Sequence, residues 1–341
     1  MQRRELGTTG LDLSVIGFGA WAIGGGDWVE GWGPQDDDDS IAAIHRALES
    51  GVNWIDTAGA YGLGHSEVVI ERALRGLAER PLVFTKCTST WDEAGNILCR
   101  LDAESIRTEV EGSLRRLRVD CLDLCQLHMP VPDEQIEEGW EALAALRDEG
   151  KVRYTGVSNF DVAQMRRCEP IAHVEPLQPI YSLLNAEAEE EILPYCVENG
   201  IGVIVYSPMA SGLLTGRMTR ERIAALPPAD WRSRWPDFQE PRLSASLRVV
   251  EVVGEIAARR SRPPGHIAIA WTLRKEVVTG ATVGFRSSRQ VDELVAAGDL
   301  VLDDDELVLL DAVRPSPSAP LFAMSMEGEV RVDGQTTVSG G

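Results

Sequence analysis

The sequence predicts an α/β fold: a (β/α)8 TIM barrel with an N-terminal β-hairpin and extra C-terminal helices. Three observations predict it. Short apolar runs alternate with longer runs of helical period, and between residues 16 and 297 they make eight strand–helix units. At 341 residues, 44% hydrophobic, the chain can fill one large core, and barrels of this length form a single domain. Right-handed crossovers bring every strand's C-terminal end to one face, and polar or charged residues stand at several of those ends.

The N-terminus reads as a small hairpin over residues 3–15, with polar Arg3-Arg4-Glu5, a turn from Gly7 to Gly10, and apolar Leu11 to Val15. The first barrel strand is 16–20. A loop rich in Gly and Trp follows, but no G-x-G-x-x-G opens a helix after the strand, which excludes a Rossmann fingerprint. Asp36 to Asp39 suit the positive end of a helix, and Ile41, Ile44 and Leu48 then recur at helical spacing. Strand 52–55 precedes helix 67–77, and strand 82–85 precedes helix 103–117, with Ile106, Val110, Leu114 and Leu117 on one face. Strand 122–127 leads to helix 135–149, closed by Gly150, and strand 152–157 to a short helix over 162–167. Strand 176–178 precedes helix 187–199, which Gly200 caps. After strand 201–206 comes a long segment, then helices 244–260 and 266–274. Strand 277–283 and helix 288–297 close the repeat, and helix 303–313 ends a single domain set at 1–313. The tail, 314–341, is Pro- and Ser-rich and has no helical period.

The formal net charge is −21 and the pI near 4.7, which argues against nucleic acid and anionic membranes as partners. The N-terminus MQRREL has no apolar signal core and no run approaches membrane-spanning length, so a cytoplasmic, reduced protein is expected. The six cysteines lack C-x-x-C spacing. Cys121 and Cys125 are four apart in a strand-like run, and alternation predicts paired core thiols there rather than a metal site or disulfide.

The stretch from Gly51 to Glu67, GVNWIDTAGAYGLGHSE, carries the functional signal. Asp56 ends an apolar run, and Tyr61 stands a turn away. Lys86 follows the next strand and His128 the one after. Singly, each has a structural use: an Asp caps a turn, a Lys ends a strand in solvent, a His hydrogen-bonds inside a core. Four such residues from three consecutive strands of one face point to proton transfer instead. A free tyrosine has a pKa near ~10, and a neighbouring ammonium lowers it. Lys86 would serve Tyr61, Asp56 would hold Lys86, and His128 would orient a substrate oxygen. None of these side chains is a reductant, so reduction of a carbonyl here calls for a nicotinamide cofactor.

The chain resembles the aldo-keto reductase superfamily along nearly its whole length. The resemblance rests on DTAGAYGLGHSE, FTK at Phe84–Lys86, LDLCQLHMP, GKVRYTGVSNF, LQPIYSLLN, VYSPMASGLLTG and TVGFRSSRQVDE. It implies Asp56, Tyr61, Lys86 and His128 as a catalytic tetrad with Tyr61 as general acid. It implies Ser158, Asn159 and Gln178 at the nicotinamide carboxamide, Tyr206 stacked on that ring, and Ser207, Gly212 and Leu213 along the pyrophosphate. Gly284, Arg286, Gln290 and Glu293 match the adenosine end, where the fork of Arg286 suits a 2′-phosphate and favours NADPH. The chain departs from the pattern at Leu294, where the family often has Asn, and lacks a Lys at Gly284. Loop aromatics, Trp21 and Trp91 among them, would join His128 in binding an apolar carbonyl compound or a sugar. Two rival readings follow from the same residues: a nicotinamide-binding regulatory module resembling channel β-subunits, and a non-redox lyase or isomerase using Tyr61 and Lys86 alone.

Overall fold

In the computed structural model, which describes residues 1–26, 28–228 and 230–315, an antiparallel hairpin opens the chain, β1 (Arg3–Glu5) with β2 (Asp12–Ser14). Three barrel strands follow: β3 (Ile16–Gly19), β4 (Trp54–Asp56) and β5 (Leu82–Cys87). A second hairpin, β6 (Ser89–Trp91) with β7 (Ile97–Cys99), leaves the end of β5. Then β8 (Leu122–Leu127), β9 (Val152–Ser158), β10 (Pro176–Gln178), β11 (Gly202–Tyr206) and β12 (Val278–Gly284) complete a closed parallel barrel, β12 pairing with β3. Between strands lie α1 (Asp37–Glu49), α2 (His65–Leu74), α3 (Ala103–Leu117), α4 (Ile136–Asp148), α5 (Val162–Cys168) and α6 (Ile192–Asn199). The last crossover is the long one, with α7 (Arg220–Ala224), α8 (Arg242–Arg260) and α9 (Pro264–Thr272). After β12 come α10 (Ser288–Leu294) and α11 (Asp304–Val313).

Strand alternation builds the interior in layers. Trp54, Phe84, Leu124 and Ile204 form an apolar cluster with Leu6, Leu11 and Leu13, so the N-terminal hairpin closes the bottom of the barrel. The indole of Trp54 needs glycine neighbours: a Cβ on Gly17 would lie 2.2 Å from it and one on Gly280 3.0 Å. Two residues further along each strand the side chain returns to the inner face. That rule carries the chain from Trp54 to Asp56, from Phe84 to Lys86, from Leu124 to Gln126 and from Ile204 to Tyr206. An apolar floor therefore supports a polar layer facing the mouth.

Local chemistry fixes the helix starts. The Asp36 carboxylate accepts from the amides of Asp38 and Asp39, as its acidic run predicts. Asp161 with Gln164 and Asp303 with Glu306 make reciprocal capping boxes.

Three expectations change. Lys86 lies inside β5 rather than beyond it, because β5 pairs with β8 as far as Cys87. The predicted helix 187–199 is a 3-10 turn over Glu187–Glu189 followed by α6. Cys121 is exposed ahead of β8, so it does not pair with Cys125; the Sγ of Cys125 instead meets that of Cys87 on β5, at 3.8 Å. All six cysteines are free thiols. Among the described residues no helix is long and apolar enough to cross a membrane, and no cluster of His, Cys, Asp and Glu would hold a metal ion. Of the tail, only Arg314 and Pro315 are among the described residues.

Candidate active site

Asp56, Lys86, Gln178 and Ser158 reach the polar layer from four strands, and all four are buried. The Lys86 ammonium donates to Asp56 Oδ1 at 2.9 Å, to Oδ2 at 2.8 Å and to the Thr57 carbonyl at 2.9 Å. Gln178 Nε2 adds a bond to Asp56 Oδ1 at 2.8 Å. Burial lowers the Lys86 pKa, and the Asp56 charge opposes that.

Tyr61 sits on the loop after β4, partly open to the cleft. Its ring centre is 5.3 Å from Lys86 Nζ and 5.9 Å from the His128 ring, which meets it edge-on. The loop is held by a backbone-to-backbone approach: Gly62 has φ +59°, and a Cβ there would stand 1.9 Å from the Gly24 carbonyl oxygen. Burial and then the Asp56 charge hold the phenol well above its usual pKa, rather than lowering it as the sequence reading expects. His128 is pushed down to about 3, by burial first and the Lys86 charge second, so its ring is neutral.

The residues expected at a nicotinamide are brought together. Ser158 Oγ donates to the Gln178 carbonyl at 2.8 Å, and Asn159 Nδ2 donates to Ser158 Oγ at 3.1 Å and the His128 carbonyl at 3.0 Å. The Tyr206 hydroxyl donates to Asn159 Oδ1 at 2.8 Å. A cleft of about 590 Å³ runs from Asp56, Tyr61 and Tyr206 past Ser207 and Gly212 to Gly284, Arg286, Gln290 and Glu293. Leu213 is fully buried and is not among the residues that line that path. Gly284 has nothing within 4 Å of its Cβ position. Arg286 does not stand alone: its guanidinium donates to Gln35 Oε1 at 2.7 Å, the Pro34 carbonyl at 2.5 Å and the Trp32 carbonyl at 3.3 Å. Glu293 pairs with Arg217 at 2.5 Å. Arg217, Arg222 and Arg232 also line this end, and sequence reasoning did not single them out. Their signal was available: residues 215–241 of this acidic chain hold five arginines, Arg217, Arg222 and Arg232 among them.

Aromatic rings form the wall above Tyr61. Trp21 stacks on Trp231 at 4.9 Å and lies 6.1 Å from Tyr61, Trp32 meets both tryptophans edge-on, and Trp28 lies 6.2 Å from Tyr61. Trp91 does not line the cleft; its ring on β6 packs over the Arg116 guanidinium at 5.9 Å.

The fold is a (β/α)8 barrel, and the site gathers a buried Asp56–Lys86 pair, Tyr61 and His128 at its mouth. Comparison with known proteins agrees: the aldo/keto reductase family model matches residues 15–315. The aldo-keto reductase YhdN of Bacillus subtilis (strain 168) is 37% identical over 94% of this chain and 97% of its own. The NADH-specific methylglyoxal reductase of Escherichia coli (strain K12) is 35% identical over 91% and 97%. Among solved structures, a glycerol dehydrogenase from Gluconobacter oxydans superposes with a TM-score of 0.83 at 35% identity, covering 94% of this chain and 98% of that one. The chain belongs to the aldo/keto reductase family. Enzymes of this family use nicotinamide cofactors.

Proposed function

We propose that this chain reduces a small aldehyde, ketone or sugar carbonyl to an alcohol, or runs the reverse, with NADPH as cofactor and Tyr61 as the general acid and base. The observation that carries the reading is the buried Asp56–Lys86 pair beside Tyr61, at the floor of a cleft that extends to an arginine-lined end.

The donor set fits a nicotinamide cofactor at both ends. Ser158, Asn159 and Gln178 supply amide and hydroxyl groups suited to a carboxamide, and Tyr206 supplies an aromatic face. At the far end Arg286, Arg232, Arg217 and Arg222 supply cationic donors for phosphate, which supports NADPH. The named NADH specificity of the Escherichia coli relative points the other way, and cofactor affinities decide between them. When bound, the cofactor supplies the hydride. The protein's part is protonation: Tyr61, protonated at neutral pH, gives its proton to the carbonyl oxygen as negative charge develops there. His128, neutral, donates a hydrogen bond to the same oxygen and orients it. Lys86 lies close enough to favour the phenolate left on Tyr61, and Asp56 keeps Lys86 in place. The stacked Trp21 and Trp231 exclude water and suit an apolar carbonyl compound or a sugar ring.

The test is NADPH oxidation with a panel of aldehydes, ketones and sugars. Turnover by wild type supports the reading; tight cofactor binding without turnover on any member would move it to the regulatory module.

A further inference from the structure

Thr88 and Ser89 leave the end of β5 in an unusual conformation. Thr88 is β-branched yet has φ +83°. Its surroundings hold it there. Its amide donates to Glu109 Oε1 at 3.1 Å, its hydroxyl bonds the Met129 backbone at 3.0 and 3.3 Å, and its carbonyl accepts from Arg100 at 3.2 Å. The amide of Ser89 donates to the other Glu109 oxygen at 3.0 Å. One carboxylate from α3 therefore ties down two consecutive amides at the point where the chain turns from β5 into the second hairpin.

The turn delivers the Ser89 hydroxyl to the ring of His128, with Oγ and Nδ1 3.4 Å apart. Ser89 is 5% exposed, and among the described residues its Oγ has no other partner. A buried hydroxyl with one neighbour spends its proton on that neighbour. Nδ1 is then the acceptor, and in a neutral imidazole the proton sits on Nε2. The other arrangement, with Nδ1–H donating to Oγ, leaves the serine proton buried without an acceptor.

We infer that Ser89, held in place by Glu109, fixes His128 as the Nε2–H tautomer, so that its free ring nitrogen is a donor toward the carbonyl. Ser89 and Glu109 are positioning residues: they act through His128. Nothing in their sequence positions marks them, since Glu109 reaches Thr88 and Ser89 from 21 and 20 residues downstream. The inference deepens the reductase reading and rests on it only for what the donor does.

The experiment is 15N spectroscopy of the imidazole nitrogens in the full chain near neutral pH. The chain has five histidines, so the His128 signals are assignable with His128→Gln. The expected result is a proton-bearing Nε2 and a hydrogen-bonded, unprotonated Nδ1 at His128. Ser89→Ala and Glu109→Gln should shift the Nδ1 signal and mix in the other tautomer, with Ser89→Thr restoring the wild-type pattern. Turnover should fall about fivefold to tenfold in Ser89→Ala, the loss of one hydrogen bond, with the NADPH Kd unchanged. A wild-type His128 protonated on Nδ1, or a Ser89→Ala spectrum identical to wild type, overturns the inference. The ring signals are read whether or not a carbonyl turns over, so failure here is separable from failure of the reductase reading.

Discussion

Lys86 and Asp56 form a two-point ion pair, 2.9 and 2.8 Å from ammonium to each carboxylate oxygen, with side chains 1% and 3% exposed. A buried pair of this kind is balanced rather than strongly stabilising, because desolvation offsets most of the attraction. Breaking it is a different matter. Asp56→Asn leaves a buried ammonium whose pKa burial already lowers, so the expected cost is about 3–5 kcal/mol of stability along with loss of turnover. Urea unfolding and kcat on the same preparation check this. Joining Lys86→Met to Asp56→Asn should recover most of the stability and none of the activity. Equal stability in wild type and Asp56→Asn would show that the pair is not buried as described.

Tyr61→Phe removes one oxygen and leaves the ring to face Trp21, Lys86 and His128. On the proposed role, kcat falls by about 10²–10⁴, the usual worth of a positioned general acid. The NADPH Kd, read by fluorescence or calorimetry, should stay within about twofold, since a twofold change is well under the free energy of one hydrogen bond. A variant that keeps wild-type turnover would remove Tyr61 from the chemistry.

The barrel was legible because short apolar runs alternate regularly with runs of helical period. The layering inside it was not: Lys86 reads as following its strand, and the pairing of β5 with β8 is what puts it on the inner face two residues past Phe84. The hairpin β6–β7 was not legible. Its three-residue arms carry no pattern, and its turn is shaped by Asp92 accepting from Ala94 and Asn96, while Glu109 holds its entrance from another element. Trp91 was expected in the substrate wall for that reason; the register of a short hairpin decides which way it faces. The Arg286 fork could be read from the sequence, but not its engagement by Gln35, 251 positions away. Trp231 lies in the long segment after β11, and only the fold shows it stacked on Trp21.

Gly62 is a place where function and backbone geometry meet. At φ +59° and with the Gly24 carbonyl oxygen 1.9 Å from where a Cβ would go, no side chain fits without moving the loop. The residue before it is Tyr61. Gly62→Ala should therefore destabilise by about 2 kcal/mol or more and displace the phenol, so that kcat falls even in molecules that remain folded. Gly76→Ala is the control: it also has positive φ, at +78°, but its Cβ would meet nothing within 4 Å, and it lies two residues past the end of α2. A Gly62→Ala protein with wild-type melting and kcat would contradict the packing of these two loops.

Cofactor choice should report on Arg286. Its guanidinium lines the cleft's far end while bracing the 32–35 loop, so Arg286→Ala will weaken both cofactors through the loop. The ratio separates the two effects. If Arg286 contacts a 2′-phosphate, NADPH affinity falls about tenfold more than NADH affinity, the worth of a hydrogen bond to a charged group. Equal losses for the two cofactors would assign Arg286 to the loop alone.

The neutral His128 ring makes a prediction about pH. Its pKa is pushed down to about 3 by burial and then by Lys86, whereas an unfolded histidine titrates near ~6.5. Between those values the unfolded chain binds a proton that the folded chain refuses. Stability from this residue is therefore fully present above the unfolded pKa and is lost as pH falls toward the folded one, by at most about 1.4 kcal/mol per pH unit and less where solvent reaches the ring. Glu109, raised to about 7 chiefly by burial, works in the opposite sense over part of the same range. Comparing variant with wild type at each pH cancels that contribution. Urea unfolding at about pH 7.5 and about pH 5 should show His128→Gln losing less stability on acidification than wild type, because glutamine has no proton to take up. A variant that loses as much as wild type would mean that His128 titrates normally in the folded chain, and it would then be charged rather than neutral at the acid end of the activity profile.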